Sequence, residues 1–149
     1  MYPYVLGIHN IVRWLVLLAG VAAVFLAWRG WLGSRQWTAA EARATRAFTG
    51  LLDLQFLIGL SLYAVFSPLT RGAFRDMGAA MRDAPTRYFL VEHPVIMLAA
   101  IVVAHVGAVQ VRKATTDPER FQRASIWFGL ALAAIAGFIP WARPFLPSF

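Results

Sequence analysis

His9, Asn10, Arg13, Asp53, Gln55, Glu92, His93 and His105 are polar side chains inside runs that are mostly apolar. If those runs cross a bilayer, water is absent around them, and each ionisable group there is expensive and becomes a candidate for function. His9 lies near the start of the first run and His93 near the start of the third. Odd-numbered spans enter a membrane from the same side, so the two imidazoles are expected at similar depth, able to face each other across a small bundle. Two imidazole nitrogens converging from separate helices are the donor set of a bis-histidine haem iron. A plainer reading, in which each ring simply hydrogen-bonds near the interface, stands beside it.

Arg13 shares a helix face with His9 and lies about 6 Å deeper. A guanidinium two turns inside a span needs a counter-charge or a wet pocket. Glu92 is the carboxylate expected on the same side within a helix, so an Arg13–Glu92 pair is one expectation and a haem propionate held by Arg13 is the other. Pro94 follows Glu92 and His93 directly. It lacks an N–H, so the carbonyl four residues earlier loses its helical donor. That freed carbonyl is a ready acceptor for a ring N–H, which would set the tautomer of a ligating histidine.

His105 comes 12 residues after His93, about 120° around an ideal helix, so the two rings do not share a face. Its depth matches that of Asp53 on the second run. A buried Asp53–His105 pair would satisfy both groups, relay a proton or form half of a quinone pocket. Gln55, Gly59 and Tyr63 follow at four-residue spacing. Gln55 is expected to hydrogen-bond across helices, and Gly59 to admit a neighbouring helix or a flat macrocycle. The three histidines show no H-x₃-H or E-x-x-H spacing, which argues against a zinc or di-iron site. No nucleophile–base motif, P-loop or dinucleotide fingerprint occurs, so no catalytic residue is assigned.

The elements that must position these groups are apolar helices. The chain has 149 residues, 60% hydrophobic and 14% charged, where a soluble domain is nearer one quarter charged. Spans of about 20 apolar residues cross a bilayer, and four runs qualify: 5–28, 47–66, 89–111 and 121–141. They leave no room for a soluble domain, so residues 1–149 are expected to form one integral membrane domain. The first run lacks a basic n-region and an A-x-A site and reads as an uncleaved span. Without cysteines, disulfides and thiolate-held clusters are excluded.

The net charge of +7 is spread over all three loops, which suits topology and anionic lipid rather than nucleic acid. Arg29, Arg35, Arg43 and Arg46, with Arg112, Lys113, Arg120 and Arg123, outnumber Arg71, Arg75, Arg82, Arg87 and Arg143 on the other side. That bias puts the first and third loops in the cytoplasm and both termini outside. In the second loop Phe74, Met77 and Met81 fall at helical spacing within Gly72–Asp83, which predicts a short amphipathic helix in the outer interface. Tyr2, Tyr4, Trp28, Trp31, Trp37, Tyr88 and Trp141 read as interface anchors. Gly20, Gly59, Gly107, Gly129 and Gly137 read as points of close helix approach.

The pattern His9-x₃-Arg13-Trp14, Gln55-x₃-Gly59-x₃-Tyr63, Glu92-His93 and Ile139-Pro140-Trp141 resembles a group of small bacterial four-span membrane proteins of the cytochrome b-like type. The resemblance covers most of the chain. It is similar more broadly to the four-helix core of the cytochrome b superfamily, in which haems sit between diagonal helices that each carry two histidines 13 or 14 residues apart. The resemblance implies an all-α, up-down-up-down bundle of four transmembrane helices in the bacterial inner membrane, with one haem b on His9 and His93. Ala22 and Ala23 stand where a second histidine of the first helix would fall, and His105 is early and off-face, so no second haem is implied. The function expected is electron transfer, quinol-linked and shared with a partner subunit or a second copy, as an electron-transfer component rather than a stand-alone enzyme. Two further readings stay open: a cofactor-free accessory subunit of a larger membrane complex, and a small proton-coupled carrier using Asp53, Glu92 and the histidines.

Overall fold

The computed structural model describes residues 1–141, and every regular element among them is helical. Helix α1 covers Tyr2–Leu32, a rod of about 46 Å at 1.5 Å per residue. Helix α2 covers Ala39–Ser61 and runs on through a π-helical turn, Leu62–Phe66. Three short helices follow: α3 Pro68–Ala73, α4 Met77–Arg82 and α5 Ala84–Arg87. A second π-helical turn, Tyr88–Glu92, leads into α6, His93–Lys113, and α7 covers Asp117–Gly137. Among the described residues three helical stretches are long and apolar enough to cross a membrane: Tyr2–Leu32, Ala39–Phe66 and Ala84–Lys113.

Local chemistry sets these boundaries. Thr38 caps α2, accepting from the Ala40 N–H, while the Glu41 carboxylate accepts from the Thr38 N–H at 2.9 Å. This reciprocal capping box starts the helix eight residues before the apolar run at Ala47. Arg43 and Arg46 therefore ride on a helix rather than in a loop. Thr116 caps α7 by accepting from the Glu119 N–H, and the Glu119 carboxylate accepts from the Thr115 N–H. The helix that carries the last apolar run thus begins before residue 121, at Asp117, and ends at Gly137. Pro140 stands just beyond, and the Trp141 indole N–H donates to the Ala136 carbonyl at 2.9 Å. The single amphipathic helix expected over Gly72–Asp83 is instead α3 and α4, broken where Asp76 caps α4 through the Ala79 N–H. Phe74, Met77 and Met81 do remain exposed. Arg143, counted above with the outer charges, lies outside the described residues.

Contacts between neighbours run antiparallel. The His9 carbonyl meets Gln55 of α2 while Gly20 meets Phe48. Asp53 of α2 meets His105 of α6 while Tyr63 meets Leu90. Gly107 of α6 meets Trp127 of α7, and Gly30 of α1 meets Phe121 of α7. The four long helices thus form a ring in which α1 and α6 are diagonal. The centre is filled by Phe48 and Phe128, edge to face at 6.0 Å, with Val16, Ala100, Ala104 and Ala131. Small residues and a buried arginine lie inside, while Leu15, Leu18, Val21, Phe25, Leu57, Leu98 and Val102 lie outside. Such a surface suits lipid contact and would be a liability in water.

Candidate functional site

The two π-helical turns shape the end of the ring where the first and third runs begin. Each precedes a proline. Ser67, before Pro68, donates its N–H to Leu62 five residues back at 2.8 Å. His93, before Pro94, donates its backbone N–H to Tyr88, again five back. Before Pro94 the wide turn accommodates a ring that would strike a regular helix, whereas Pro68 follows an extended Ser67 and opens α3. Pro94 cannot donate to the Leu90 carbonyl, and that carbonyl accepts instead from the Tyr63 hydroxyl at 3.0 Å. The freed acceptor foreseen in the sequence therefore goes to a phenol of α2, not to an imidazole.

The His93 ring finds a different carbonyl. Its Nδ1 lies 3.0 Å from the carbonyl oxygen of Phe138, at the end of α7. A carbonyl only accepts, so Nδ1 carries the proton and, in the neutral ring, Nε2 keeps the lone pair. The Tyr88 hydroxyl donates to the same oxygen at 2.6 Å, and the Tyr88 and His93 rings lie 5.9 Å apart. Tyr88 is thus a site residue as well as an interface aromatic.

Across the ring, His9 is held against α2. Gln55 Nε2 donates to the His9 carbonyl at 2.9 Å. A side chain on Gly59 would put its Cβ 3.3 Å from His9 Cε1, so the missing Cβ is what lets the imidazole lie on that helix. His93 and Arg13 are both within electrostatic reach of the His9 ring. Arg13 is only 8% exposed, and its guanidinium lies 5.5 Å from the centre of the Trp14 ring. Two buried atoms here, His9 Nδ1 and Gln55 Oε1, have no hydrogen-bond partner among the described residues. Buried polar atoms are rarely left so, and each calls for an explanation.

Glu92 does not turn inward to Arg13. Its carboxylate pairs with the Arg87 Nε at 2.9 Å, and both side chains are well exposed. The π-helical turn is the reason: it carries Glu92 to the same flank as Arg87, five residues earlier. His105 and Asp53 do meet, Nε2 to Oδ1 at 2.7 Å. They are not buried as expected, being 47% and 53% exposed on the outward side of α6 and α2.

Sequence reasoning missed the Phe138 carbonyl, the Tyr63–Leu90 bond and the Arg87–Glu92 pair. The usable signal was Pro94, which marks an orphan carbonyl at Leu90. Among the described residues no group of three or more His, Cys, Asp or Glu side chains is arranged to hold a bare metal ion. Comparison with models of protein families, with curated proteins and with solved structures finds no match to this chain.

Proposed function

We propose that this chain is a four-span protein of the bacterial inner membrane that holds one b-type haem between α1 and α6 and passes electrons between a quinol and a partner subunit. α7 is the fourth span, termini lie outside, and the loops around Gln36 and Thr115 face the cytoplasm.

The observation that carries the reading is that His93 of α6 and Arg13 of α1 lie within electrostatic reach of His9 across diagonal helices. The donor set fits a haem iron. The bond from His93 Nδ1 to Phe138 leaves Nε2 as the basic nitrogen and fixes the ring, as an outer partner does for a metal-bound histidine. His9 offers a ring nitrogen without a partner among the described residues. Gln55 and Gly59 hold His9 in place, through the backbone bond and through close approach. Arg13 supplies a positive charge suited to a carboxylate such as a propionate. The haem, when bound, would supply one-electron chemistry; the protein sets ligand orientation, burial and local charge, which tune the potential.

The test is the visible spectrum of the purified protein with a pyridine haemochrome assay. A Soret band that disappears in His9→Ala and in His93→Ala is expected. Colourless protein from haem-replete cells sinks the reading. A second reading, a cofactor-free accessory subunit, is favoured by the large apolar side chains left exposed along α1, among them Leu15, Leu18, Val21 and Phe25, which a partner could cover. Colourless protein that co-purifies with a larger complex is its signature.

A further inference from the structure

The Asp53–His105 pair takes no part in the cluster of His9 and His93 and stands on the outside of the ring. It joins α2 to α6, Nε2 to Oδ1 at 2.7 Å, with both side chains half exposed. Each residue lies two turns, about 10 Å, from the arginine that bounds its apolar run, Arg46 or Arg112. Around the pair, Leu54, Leu57, Leu98, Val102 and Val106 are exposed apolar groups. Side chains as short as these do not snorkel out to water from that depth. Facing hydrocarbon is costly for them unless a polar group covers them.

The valences left on the pair say what covers it. One proton more than a carboxylate and a neutral ring carry makes the pair electrically neutral, the form that hydrocarbon favours. Wherever that proton sits between Oδ1 and Nε2, Nδ1 then bears a hydrogen and Oδ2 keeps its lone pairs. The surface thus carries a donor and an acceptor side by side. Such a patch is complementary to its own copy under a two-fold rotation, in which residue i meets j and j meets i. A two-fold axis along the membrane normal keeps every residue at its own depth. Asp53 and His105 are bonded to each other and so share a depth, and crossed bonds between copies form without an axial shift. A different protein would need a matching donor and acceptor of its own at that level.

The surroundings suit a second pair of helices. One turn before Asp53, Gly50 has open space where a side chain would begin. A facing helix can therefore come close, and close van der Waals fit is what drives association in lipid. On α6 a shallow trough of about 360 Å³ runs from Ile101 to Gln110, the shape that matches the ridge of side chains on a packed helix.

We propose that this face joins two copies of the chain side by side in the membrane, with His105 Nδ1–H of each copy donating to Asp53 Oδ2 of the other. The inference rests on the membrane placement in the reading above and not on the haem: a colourless dimer leaves it standing, and a red monomer overturns it alone.

In the test, the full chain is labelled in separate batches with a donor or an acceptor fluorophore, at a cysteine appended to the C-terminus. The batches are mixed in phosphatidylcholine vesicles over a range of protein-to-lipid ratios. Energy transfer that rises with protein density to the plateau of a dimer is expected. Asp53→Leu with His105→Leu removes donor and acceptor together, orphans no polar group, and should weaken association about ten-fold or more. Leu18→Ala, on the outward side of α1, should leave association unchanged. A second measurement in native membranes does not depend on the leucine variant folding. Two tagged copies, one with Leu57→Cys and one with Val102→Cys, should form a mixed disulfide under copper phenanthroline, since these positions share a depth on the proposed face. Ile11→Cys with Val102→Cys should not. Monomers at every ratio, a double-leucine variant that associates as tightly as the unsubstituted chain, or cross-linking through Ile11 in place of Leu57 would each overturn the proposal.

Discussion

At the scale of single residues, the Leu90 carbonyl decides how the His93 end of α6 is built. Pro94 removes its helical donor, and the Tyr63 hydroxyl replaces it across the gap between helices. Tyr63→Phe should leave that carbonyl unpaired at a cost of about 1–3 kcal/mol, read from denaturation in detergent. Pro94→Ala restores an N–H at position 94 and lets the π-helical turn relax toward α. Tyr63→Phe should then cost less, with a coupling of about 0.5 kcal/mol or more in the double-mutant cycle. Additive losses would show that the two donors do not compete for one oxygen. The proline made half of this legible in the sequence, since the orphan carbonyl follows from its chemistry alone. The identity of the new donor did not follow, because Tyr63 reaches Leu90 only through the winding of its own π-helical turn.

Another residue-scale device lies outside the spans. Asp83 caps α5 through the hydroxyl and the backbone N–H of Thr86, and these bonds hold its carboxyl below the usual carboxylate range. The sign follows from linkage: a group whose pKa falls on folding contributes above its unfolded pKa, and the contribution is lost as acid protonates it. Protection of the Thr86 amide from hydrogen exchange should therefore decline as pH falls below about 4, and Asp83→Asn should flatten that profile.

At the scale of elements, the apolar runs were readable because lipid-facing helices need continuous hydrophobicity. Their ends were not, because capping overrides hydropathy: Thr38 and Thr116 begin helices inside charged sequence. The glycines show the same divide. Composition marks all of them as sites of close approach, but only geometry tells which ones are used. A Cβ on Gly107 would sit 2.4 Å from the Trp127 Cβ, whereas one on Gly129 meets nothing within 4 Å. Gly107→Ala should push α6 from α7 at about 1–3 kcal/mol. Gly129→Ala should be neutral or stabilising by up to about 1 kcal/mol, since alanine is the better helix former. Thermal unfolding in one detergent compares them directly, and equal effects would contradict the packing of α6 on α7.

At the scale of the whole molecule, the distribution of side chains suits contact with lipid: many large apolar groups lie outside, and Phe48, Phe121 and Phe128 pack with alanines and Arg13 within. What it leaves open to experiment is the number of crossings. α1, the stretch Ala39–Phe66 and the stretch Ala84–Lys113 each suffice to span. α7 opens with Asp117, Glu119, Arg120 and Arg123, and Arg123 reaches back to the Gln110 carbonyl at 2.7 Å, tying the charged start of α7 to the end of α6. Only the part after Arg123 is free of charge, shorter than the usual 20 residues. Yet α7 lies along α1, from Phe121 against Gly30 to Leu132 against Gly20, and meets α6 where Trp127 lies against Gly107. The chain has no cysteine, which makes labelling clean. With a membrane-impermeant maleimide on intact spheroplasts, Ala79→Cys should react at once, while Gln36→Cys and Thr115→Cys should react only after permeabilisation, as the excess of arginine and lysine around those two loops requires. A cysteine appended after Phe149 should behave like Ala79→Cys if α7 crosses. Reaction of that terminal cysteine in step with Thr115→Cys would leave three spans, with α7 dipping into the bundle from the cytoplasmic side. The Phe138 carbonyl would still meet His93, but the bilayer would have to thin around the end of α7 for that bond to form.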